Sequence, residues 1–218
     1  TSELTLTDEQ KSKAVAVIFY AGSASDTLGA KTLGVGLKNT RGETTTTLAW
    51  APDNTTGYTT NFTDIQCTQS MTAPTDGTAY YSYTYSGMTY YVTGDFDGSN
   101  NWAKVCVADS TASENAATNY PAFNWLNTYA ATNSLTGDMA IGWYLPSVVE
   151  LLIMCGDKAK VNAALEAVGG TKIADNSYWS SSQYSSKSNY ACSVWFNDGT
   201  LFNDIKKYDG SVCAVRAF

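Results

Sequence analysis

The sequence predicts an α+β fold. Runs of apolar and β-branched residues typical of strands lie early and late in the chain, helical periodicity is concentrated in the middle, and glycine- and serine-rich connections separate the two. With 218 residues the chain can bury a substantial core. Length alone allows one large domain or one domain with an elaborated N-terminal portion, and we interpret residues 1–218 as a single domain.

The N-terminal part predicts the start of a sheet. Residues 14–20 are apolar throughout, residues 33–37 alternate with glycines, and residues 45–50 are rich in β-branched side chains. Residues 51–94 are rich in Thr, Tyr and Gly with little periodicity, which indicates an ordered, loop-rich insertion. Within it, the aromatic run over 80–92 surrounds a Ser-Gly pair and predicts a hairpin.

Helical signals begin after this insertion. Pro121 stands where the first residue of a helix is expected, and the apolar residues that follow predict a helix over 121–131. Ser147 and Glu150 have the spacing of a capping box. The apolar stripe that follows the cap has the i, i+3, i+4, i+7 spacing of one helix face and consists of Val148, Leu151, Leu152 and Cys155.

A second helix is predicted directly after that stripe. It begins near Lys158, carries an apolar stripe of its own, and ends at Gly169-Gly170, where glycine permits a left-handed stop. The two helices should form a short hairpin. The pattern then returns to strands over 178–182, 191–196 and 212–217, with polar connections between them.

Composition narrows the class of partner. Only 15% of residues are charged and the net charge is −7, so a nucleic acid would meet repulsion. The chain holds 15 Tyr and 6 Trp among many small polar residues, a mixture that antibody-like binding surfaces use. No apolar run is long enough to cross a bilayer, and no basic and apolar N-terminal leader is visible.

The sequence contains no histidine. This excludes Ser-His-Asp and Cys-His nucleophilic catalysis and most catalytic zinc sites, and we predict a protein that is not an enzyme and has no metal or cofactor. The densest acidic cluster, Asp95 and Asp97, has three interpretations: a carboxylate pair, a calcium loop, or a turn at Asp97-Gly98. We favour the turn, with Ser99 or Asn100 capping a helix over 101–108.

Five cysteines cannot all pair within one chain, and none has C-x-x-C spacing. Cys106, Cys155 and Cys213 follow apolar residues, so we interpret them as small core side chains. One disulfide is compatible with this interpretation.

Several segments resemble a known protein group. They are Gly142-Trp143-Tyr144-Leu145-Pro146-Ser147 with Glu150, Tyr178-Trp179-Ser180-Ser181-Ser182, and Val212-Cys213-Ala214-Val215-Arg216. Together they resemble the bacterial C-type-lectin-like fold, in the subgroup of formylglycine-generating-enzyme-like domains and the variable proteins of diversity-generating retroelements. Segments 33–38, 97–102 and 120–123 extend the resemblance to the Treponema variable proteins.

This resemblance implies a function. Residues 178–218 would be a variable region, rewritten at chosen Asn codons by adenine-specific errors and carrying the ligand-binding face. It also implies cell-surface display or secretion, through an outer-membrane lipid anchor whose cysteine is not in this sequence. An enzyme branch of the family uses two neighbouring cysteines to bind copper, but Cys192 and Cys213 are far apart in sequence.

Adenine substitution in an AAC or AAT codon never yields Trp, Lys, Gln, Glu or Met. Gln183, Lys187, Lys206 and Lys207 are therefore excluded as simple products, and Trp195 is either fixed or derived from another codon.

Period-two alternation over 191–196 assigns the ligand face. It places Cys192, Val194 and Phe196 on one face, which we assign to the core, and Ala191, Ser193 and Trp195 on the other. Trp195 either covers neighbouring core or stands in the ligand face, and we favour the ligand face. The predicted ligand-contacting residues are Tyr184, Asn189, Tyr190, Ser193, Trp195, Asn197, Thr200, Phe202, Asn203, Asp204, Tyr208 and Asp209.

These residues should form one solvent-facing surface near the C terminus, supported by the buried frame residues Trp179, Val194, Phe196, Val212 and Val215. We expect a protein ligand rather than a sugar, since lectin-type sugar binding usually needs calcium and no convincing calcium set appears. The chain itself should be monomeric. The alternatives are a copper oxidase of the formylglycine-generating type and a structural surface subunit without a defined ligand.

Overall fold

A computed structural model describes residues 5–40 and 46–218 and contains both helices and open sheets, which confirms the α+β prediction. The strands are β1 (Ala16–Ala21), β2 (Thr32–Asn39), β3 (Leu48–Ala49), β4 (Gln66–Ser70), β5 (Tyr80–Tyr85), β6 (Met88–Gly94), β7 (Trp143–Tyr144), β8 (Ser177–Tyr184), β9 (Tyr190–Trp195), β10 (Thr200–Ile205), β11 (Asp209–Gly210) and β12 (Cys213–Ala217). The α-helices are α1 (Asp8–Ser12), α2 (Thr56–Thr59), α3 (Asn101–Ala108), α4 (Ala116–Asn119), α5 (Pro121–Thr132), α6 (Val148–Gly156) and α7 (Lys158–Ala167). Short 3₁₀ helices cover Thr63–Ile65, Gly98–Asn100 and Gly137–Ala140.

The strands form three sheets. A four-stranded sheet has the order β1-β2-β12-β7, a six-stranded sheet has the order β10-β9-β8-β4-β6-β5, and β11 pairs with β3. Neighbouring strands are antiparallel except β4 and β8, which are parallel. The last strand of the chain thus pairs with β2, so the two ends of the sequence share one sheet.

The core has two buried clusters. The first lies under β1, β2, α6, α7 and one face of β9, and includes Val35, Leu151 and Val194. The second is richer in aromatic residues and includes Trp50, Phe123 and Trp179. Both faces of the six-stranded sheet are therefore partly covered, which leaves little of β8 and β9 open to solvent.

The predicted helical hairpin is present. The Ser147 hydroxyl accepts a hydrogen bond from Glu150 N–H at 3.2 Å, and the Glu150 carboxylate accepts one from Ser147 N–H at 2.7 Å, so the capping box is formed. Gly169 has a φ of 72°, in the left-handed region, where the chain leaves α7. In the described part of the chain, no helix combines the length and the apolar composition that crossing a membrane requires.

The strand predictions hold with shifted ends. The strand predicted over 14–20 is β1, which begins two residues later and ends one residue later. Residues 33–37 lie inside β2, and residues 45–50 contain only the short β3, with Thr45 outside the described residues. The 80–92 hairpin is confirmed as β5 and β6, and its turn residues Ser86 and Gly87 have φ values of 50° and 77°.

Two segments hold more strand than the sequence predicts. The 51–94 segment supplies β4 to the six-stranded sheet in addition to the predicted hairpin of β5 and β6. Residues 197–210, a connection between the predicted strands 191–196 and 212–217, contain β10, which pairs with β9 along its whole length.

The cysteines divide between a disulfide and three free thiols. Cys67 of β4 and Cys192 of β9 are bonded to each other. Cys213 is fully buried, as its interpretation as a small core side chain requires, whereas Cys106 and Cys155 are half-buried at the edge of the core.

Candidate ligand-binding surface

The β9–β10 hairpin has one buried and one partly open face. Trp195 pairs with Thr200, Val194 with Leu201 and Ser193 with Phe202. Val194 and Leu201 therefore share a face, and both are buried in the first core cluster. The opposite face carries Trp195, Thr200 and Phe202.

Trp195 and Phe202 form an exposed aromatic pair. Their ring centroids lie 5.9 Å apart, as expected for diagonal neighbours on one face of an antiparallel hairpin. Trp195 is 40% exposed and Phe202 is 42% exposed. Two contacting aromatic rings that stay open to solvent, on strands whose reverse face is core, have the form of a contact surface rather than of internal packing.

Ser193 is not solvent-facing as predicted. Its side chain is fully buried and donates a hydrogen bond to the Asp204 carboxylate at 2.6 Å. The alternation was interpreted correctly, but β9 is an interior strand between β8 and β10, and the second core cluster covers this face at Ala191. The face opens only near Trp195.

Two further predicted contacts lie on the wrong face. Asn203 pairs with Cys192 and so shares the core side of the hairpin with Leu201. Tyr184, near the end of β8, is half-buried and packs against the first core cluster. The prediction grouped these two residues with the aromatic pair because the strand register that separates them cannot be derived from the sequence.

Most of the remaining predicted residues lie at one or the other end of the hairpin. Asn197 is exposed in the turn beside Trp195. At the other end, Asn189 donates to the Tyr58 hydroxyl at 3.3 Å, and the Lys187 ammonium lies 4.7 Å from the centre of the Tyr190 ring. The ends are about 17 Å apart, since a strand rises about 3.3 Å per residue.

Tyr208 and Asp209 also lie beyond the second end of the hairpin. Tyr208 is 55% exposed, and Asp209 is an exposed residue of β11, where it pairs with Ala49. The predicted surface thus divides into two groups. The turn-end group consists of Trp195, Asn197, Thr200 and Phe202, and the separate group at the other end consists of Asn189, Tyr190, Tyr208 and Asp209.

A buried lysine fixes the segment between these groups. The Lys206 ammonium donates to the Gly57 carbonyl at 2.9 Å and to the Gln183 side-chain carbonyl at 3.2 Å. It also lies 4.4 Å from the Trp50 ring centre and 4.8 Å from that of Phe62. Burial lowers the pKa of Lys206 to about 6.

Sequence reasoning did not identify this anchor, although one signal bears on it. The codon argument excluded four residues as simple products of Asn codons. Two of them, Gln183 and Lys206, are fully buried and hydrogen-bonded to each other, whereas Lys187 and Lys207 are exposed. The predicted frame residues Trp179, Val194, Phe196, Val212 and Val215 are all buried.

The acidic loop makes internal contacts. Asp95 accepts hydrogen bonds from the Asn101 amide at 2.5 Å and from the Ser182 hydroxyl at 2.8 Å, and burial raises its pKa to about 6. Asp97 pairs with Lys31 at 2.5 Å and caps the 3₁₀ helix by accepting from Ser99 N–H at 3.0 Å.

The cap at this loop therefore differs from the prediction. Asp97 caps the short 3₁₀ helix, and neither Ser99 nor Asn100 makes a side-chain cap for the predicted helix, α3. Within residues 5–40 and 46–218, no three His, Cys, Asp or Glu side chains come together in a way that could hold a metal ion.

Comparisons with known proteins show only a distant fold relationship. No family model matches the chain, and no curated protein matches it. A crystal structure of a fimbrial protein from Bacteroides ovatus ATCC 8483 covers 99% of this chain with a TM-score of 0.62 and 14% sequence identity. The chain spans 46% of that protein's length, so the likeness concerns the fold of part of that protein.

Proposed function

We propose that the chain is a non-catalytic, surface-displayed or secreted binding protein whose aromatic pair contacts a protein ligand. The observation that carries this proposal is the exposure of Trp195 and Phe202 on a hairpin whose other face is core. Rigid aromatic side chains supply much contact area at a low entropic cost, and tryptophan is enriched among residues that dominate binding energy.

Two observations support a location outside the cytoplasm. Cys67 and Cys192 form a disulfide, and such bonds persist mainly in oxidising compartments. A solved structure with a similar fold is that of a fimbrial protein. By the family resemblance, display would use a lipid anchor outside this chain.

We also propose that the chain has the C-type-lectin-like fold of the formylglycine-generating-enzyme-like subgroup. The support is that residues carrying the resemblance make hydrogen bonds that connect separate segments of the chain. Glu150 accepts from the Tyr144 hydroxyl at 2.9 Å and from Gly98 N–H at 3.2 Å, which joins two of the segments concerned. The Trp179 indole donates to the Leu48 carbonyl at 2.9 Å and so connects β8 to β3.

We further propose that retroelement copying diversifies the turn-end group. Exposed positions such as Phe202 and Asn197 can change with little cost in stability, and both residue types are possible products of an Asn codon. Sequencing the source locus tests this. A near-identical copy of the 178–218 coding segment, beside a reverse-transcriptase gene and differing only at adenines, supports diversification. Differences scattered over all bases, or no copy, contradict it.

A structural fimbrial subunit without a ligand is the second candidate, favoured by the fimbrial fold match over 99% of the chain. In that case a neighbouring subunit would cover Trp195 and Phe202. Sedimentation of the purified chain separates the two proposals. A monomer at about 100 μM supports the binding protein, whereas an assembly that Trp195→Ala dissolves supports the subunit.

The copper oxidase alternative needs a free pair of cysteines. Cys192 is bonded to Cys67, and the Cys213 thiol is buried, which raises its pKa to about 12 and disfavours the thiolate that would bind copper. Incubation of the copper-loaded chain with a cysteine peptide should give no formylglycine, and reproducible product would overturn the non-catalytic proposal.

The ligand is sought by affinity selection with the immobilised chain from solubilised surface proteins, followed by binding measurements with each purified hit. A hit supports the proposal when Trp195→Ala weakens its binding and Ile141→Ser does not. Ile141 is the matched control because it is exposed and distant in sequence from the hairpin.

A further inference from the structure

A recess lies beside the β9–β10 turn. This turn cavity has a volume of about 540 Å³ and lies between β5, the α6–α7 junction and the β9–β10 turn. Its walls include Tyr81, Tyr83, Cys155, Lys158, Phe196 and Asn197. The volume is within the range of small-molecule sites, roughly 300 to 1,000 Å³. Neither Trp195 nor Phe202 lines it.

The aromatic walls are held in place. The Tyr83 hydroxyl accepts from the Gln69 amide at 2.6 Å and from Leu201 N–H at 3.4 Å, and its ring stacks on Tyr90 at 5.5 Å. Phe196 is 1% exposed and packs against Tyr178 with ring centres 4.9 Å apart. The Tyr83 ring is therefore fixed and needs little ordering when a ligand binds, whereas the ring of Phe196 is almost fully buried behind the wall.

The polar groups at the rim belong mainly to the turn. Asn197 and Asp198 are exposed. One Asp198 carboxylate oxygen accepts from Thr200 N–H at 3.0 Å, which orients this side chain at the rim. Burial raises the pKa of the Tyr83 hydroxyl to about 12, so it stays neutral and keeps its proton.

The charge of the cavity is nearly balanced. The Lys158 ammonium pairs with Asp175 and donates to the Phe196 carbonyl at 2.8 Å, so its charge is already compensated. Asp198 adds a carboxylate at the rim. A phosphate or sulfate ligand would find no free cation among these wall residues and would meet this carboxylate, so the cavity disfavours an anionic ligand.

We propose that the turn cavity binds a neutral saccharide. A pyranose ring has an apolar C–H face, which matches the Tyr81 and Tyr83 rings, and a rim of hydroxyl groups, which matches the Asn197 amide and the Asp198 carboxylate. No cation is needed, because the rings and the hydrogen-bonding side chains supply the recognition. The site goes beyond the protein-binding function of the aromatic pair: it shares Asn197 with the turn-end group, and its other wall residues lie outside that group.

Saturation-transfer NMR of the purified chain tests the site, with glucose, galactose, mannose, N-acetylglucosamine and lactose as probes and glucose 6-phosphate as the charged counterpart. We expect at least one neutral sugar to bind with a Kd of about 1 mM, with the strongest transfer to ring C–H protons. Tyr81→Ala and Asn197→Ala should each weaken binding about tenfold, a loss typical of a central contact.

The matched control is Tyr80→Ala. Tyr80 is the neighbouring tyrosine of β5, is exposed, contacts Tyr91 and does not line the cavity, so sugar binding should stay within about twofold. Tyr81 packs against the core, so Asn197→Ala, in the exposed turn, decides the result if Tyr81→Ala fails to fold. The proposal is overturned if no neutral sugar binds, if glucose 6-phosphate binds more tightly than glucose, or if Asn197→Ala binds like the wild type.

Discussion

Glu150 shows how a single residue can be both capping group and buried acid. Its carboxylate accepts from Tyr144, Ser147 and Gly98, and the side chain is fully buried. The sequence predicted the capping box from spacing alone. The other two contacts, with Tyr144 and Gly98, lie outside the capping box, and residue spacing does not predict them. They form because the fold brings β7 and the Gly98 loop against the start of α6.

Replacement of Glu150 by Gln should change how stability depends on pH. Burial raises the pKa of Glu150 to about 7, above its ordinary value of 4.5. Its stabilising contribution is therefore complete below about pH 4.5 and is lost as the pH rises through 7. We expect the free energy of unfolding of the wild type, relative to Glu150→Gln, to fall between these pH values.

Urea unfolding of both proteins at several pH values measures this difference. Gln can keep the three contacts, because its oxygen can accept from Ser147 and Gly98 while its amide donates to Tyr144. The contribution of Asp95 is common to both proteins and cancels. If the difference in unfolding free energy between wild type and Glu150→Gln is constant over this interval, or grows with pH, the pKa of Glu150 is not raised in the folded protein.

At the scale of elements, helices were easier to predict than strands. The capping box and stripe of α6 and the Pro at the start of α5 are local signals. By contrast β4 (Gln66–Ser70) has no apolar alternation, and its partners β6 and β8 stabilise it as a strand. β10 was missed for the same reason, and with it the face on which Asn203 lies.

Alanine substitution should have different effects on stability at two glycines, Gly98 and Gly156. A Cβ on Gly98 would lie 2.5 Å from the Leu145 carbonyl oxygen and 2.6 Å from Ser147 N, both backbone atoms that cannot easily move. Gly98→Ala should destabilise the protein by about 1 to 3 kcal/mol through overpacking. Thermal unfolding measures the effect.

Gly156 at the end of α6 is the matched control. A Cβ there has no atom within 4 Å, so Gly156→Ala should be neutral or should stabilise the protein by about 0.5 to 1 kcal/mol through reduced unfolded-state entropy. Equal effects of the two substitutions would contradict the close approach of the Gly98 loop to the β7–α6 connection.

For the whole molecule, the disulfide joins distant parts of the chain. Cys67 and Cys192 are separated by 125 residues and connect the 51–94 segment to the C-terminal hairpin. Constraining so long a loop in the unfolded state stabilises the native state by about 2 to 4 kcal/mol. The double variant Cys67→Ala/Cys192→Ala should lose stability of this order in urea unfolding.

Reduction provides the companion measurement. The wild type in a reducing buffer should approach the stability of the double variant, and the double variant itself should not respond to the reductant. If reduction leaves the unfolding midpoint of the wild type unchanged, the two cysteines do not form a stabilising bond in solution.

Substitutions in the aromatic pair should weaken ligand binding without lowering stability, because Trp195 and Phe202 are exposed and the residues that support them are buried. The measurement is the Kd of the selected protein ligand for Trp195→Ala/Phe202→Ala, taken together with the thermal midpoint of the variant. We expect at least about a hundredfold weaker binding, with the midpoint within about 2 °C of the wild type. Unchanged affinity, or a variant that unfolds, would contradict the assignment of this pair as the ligand surface.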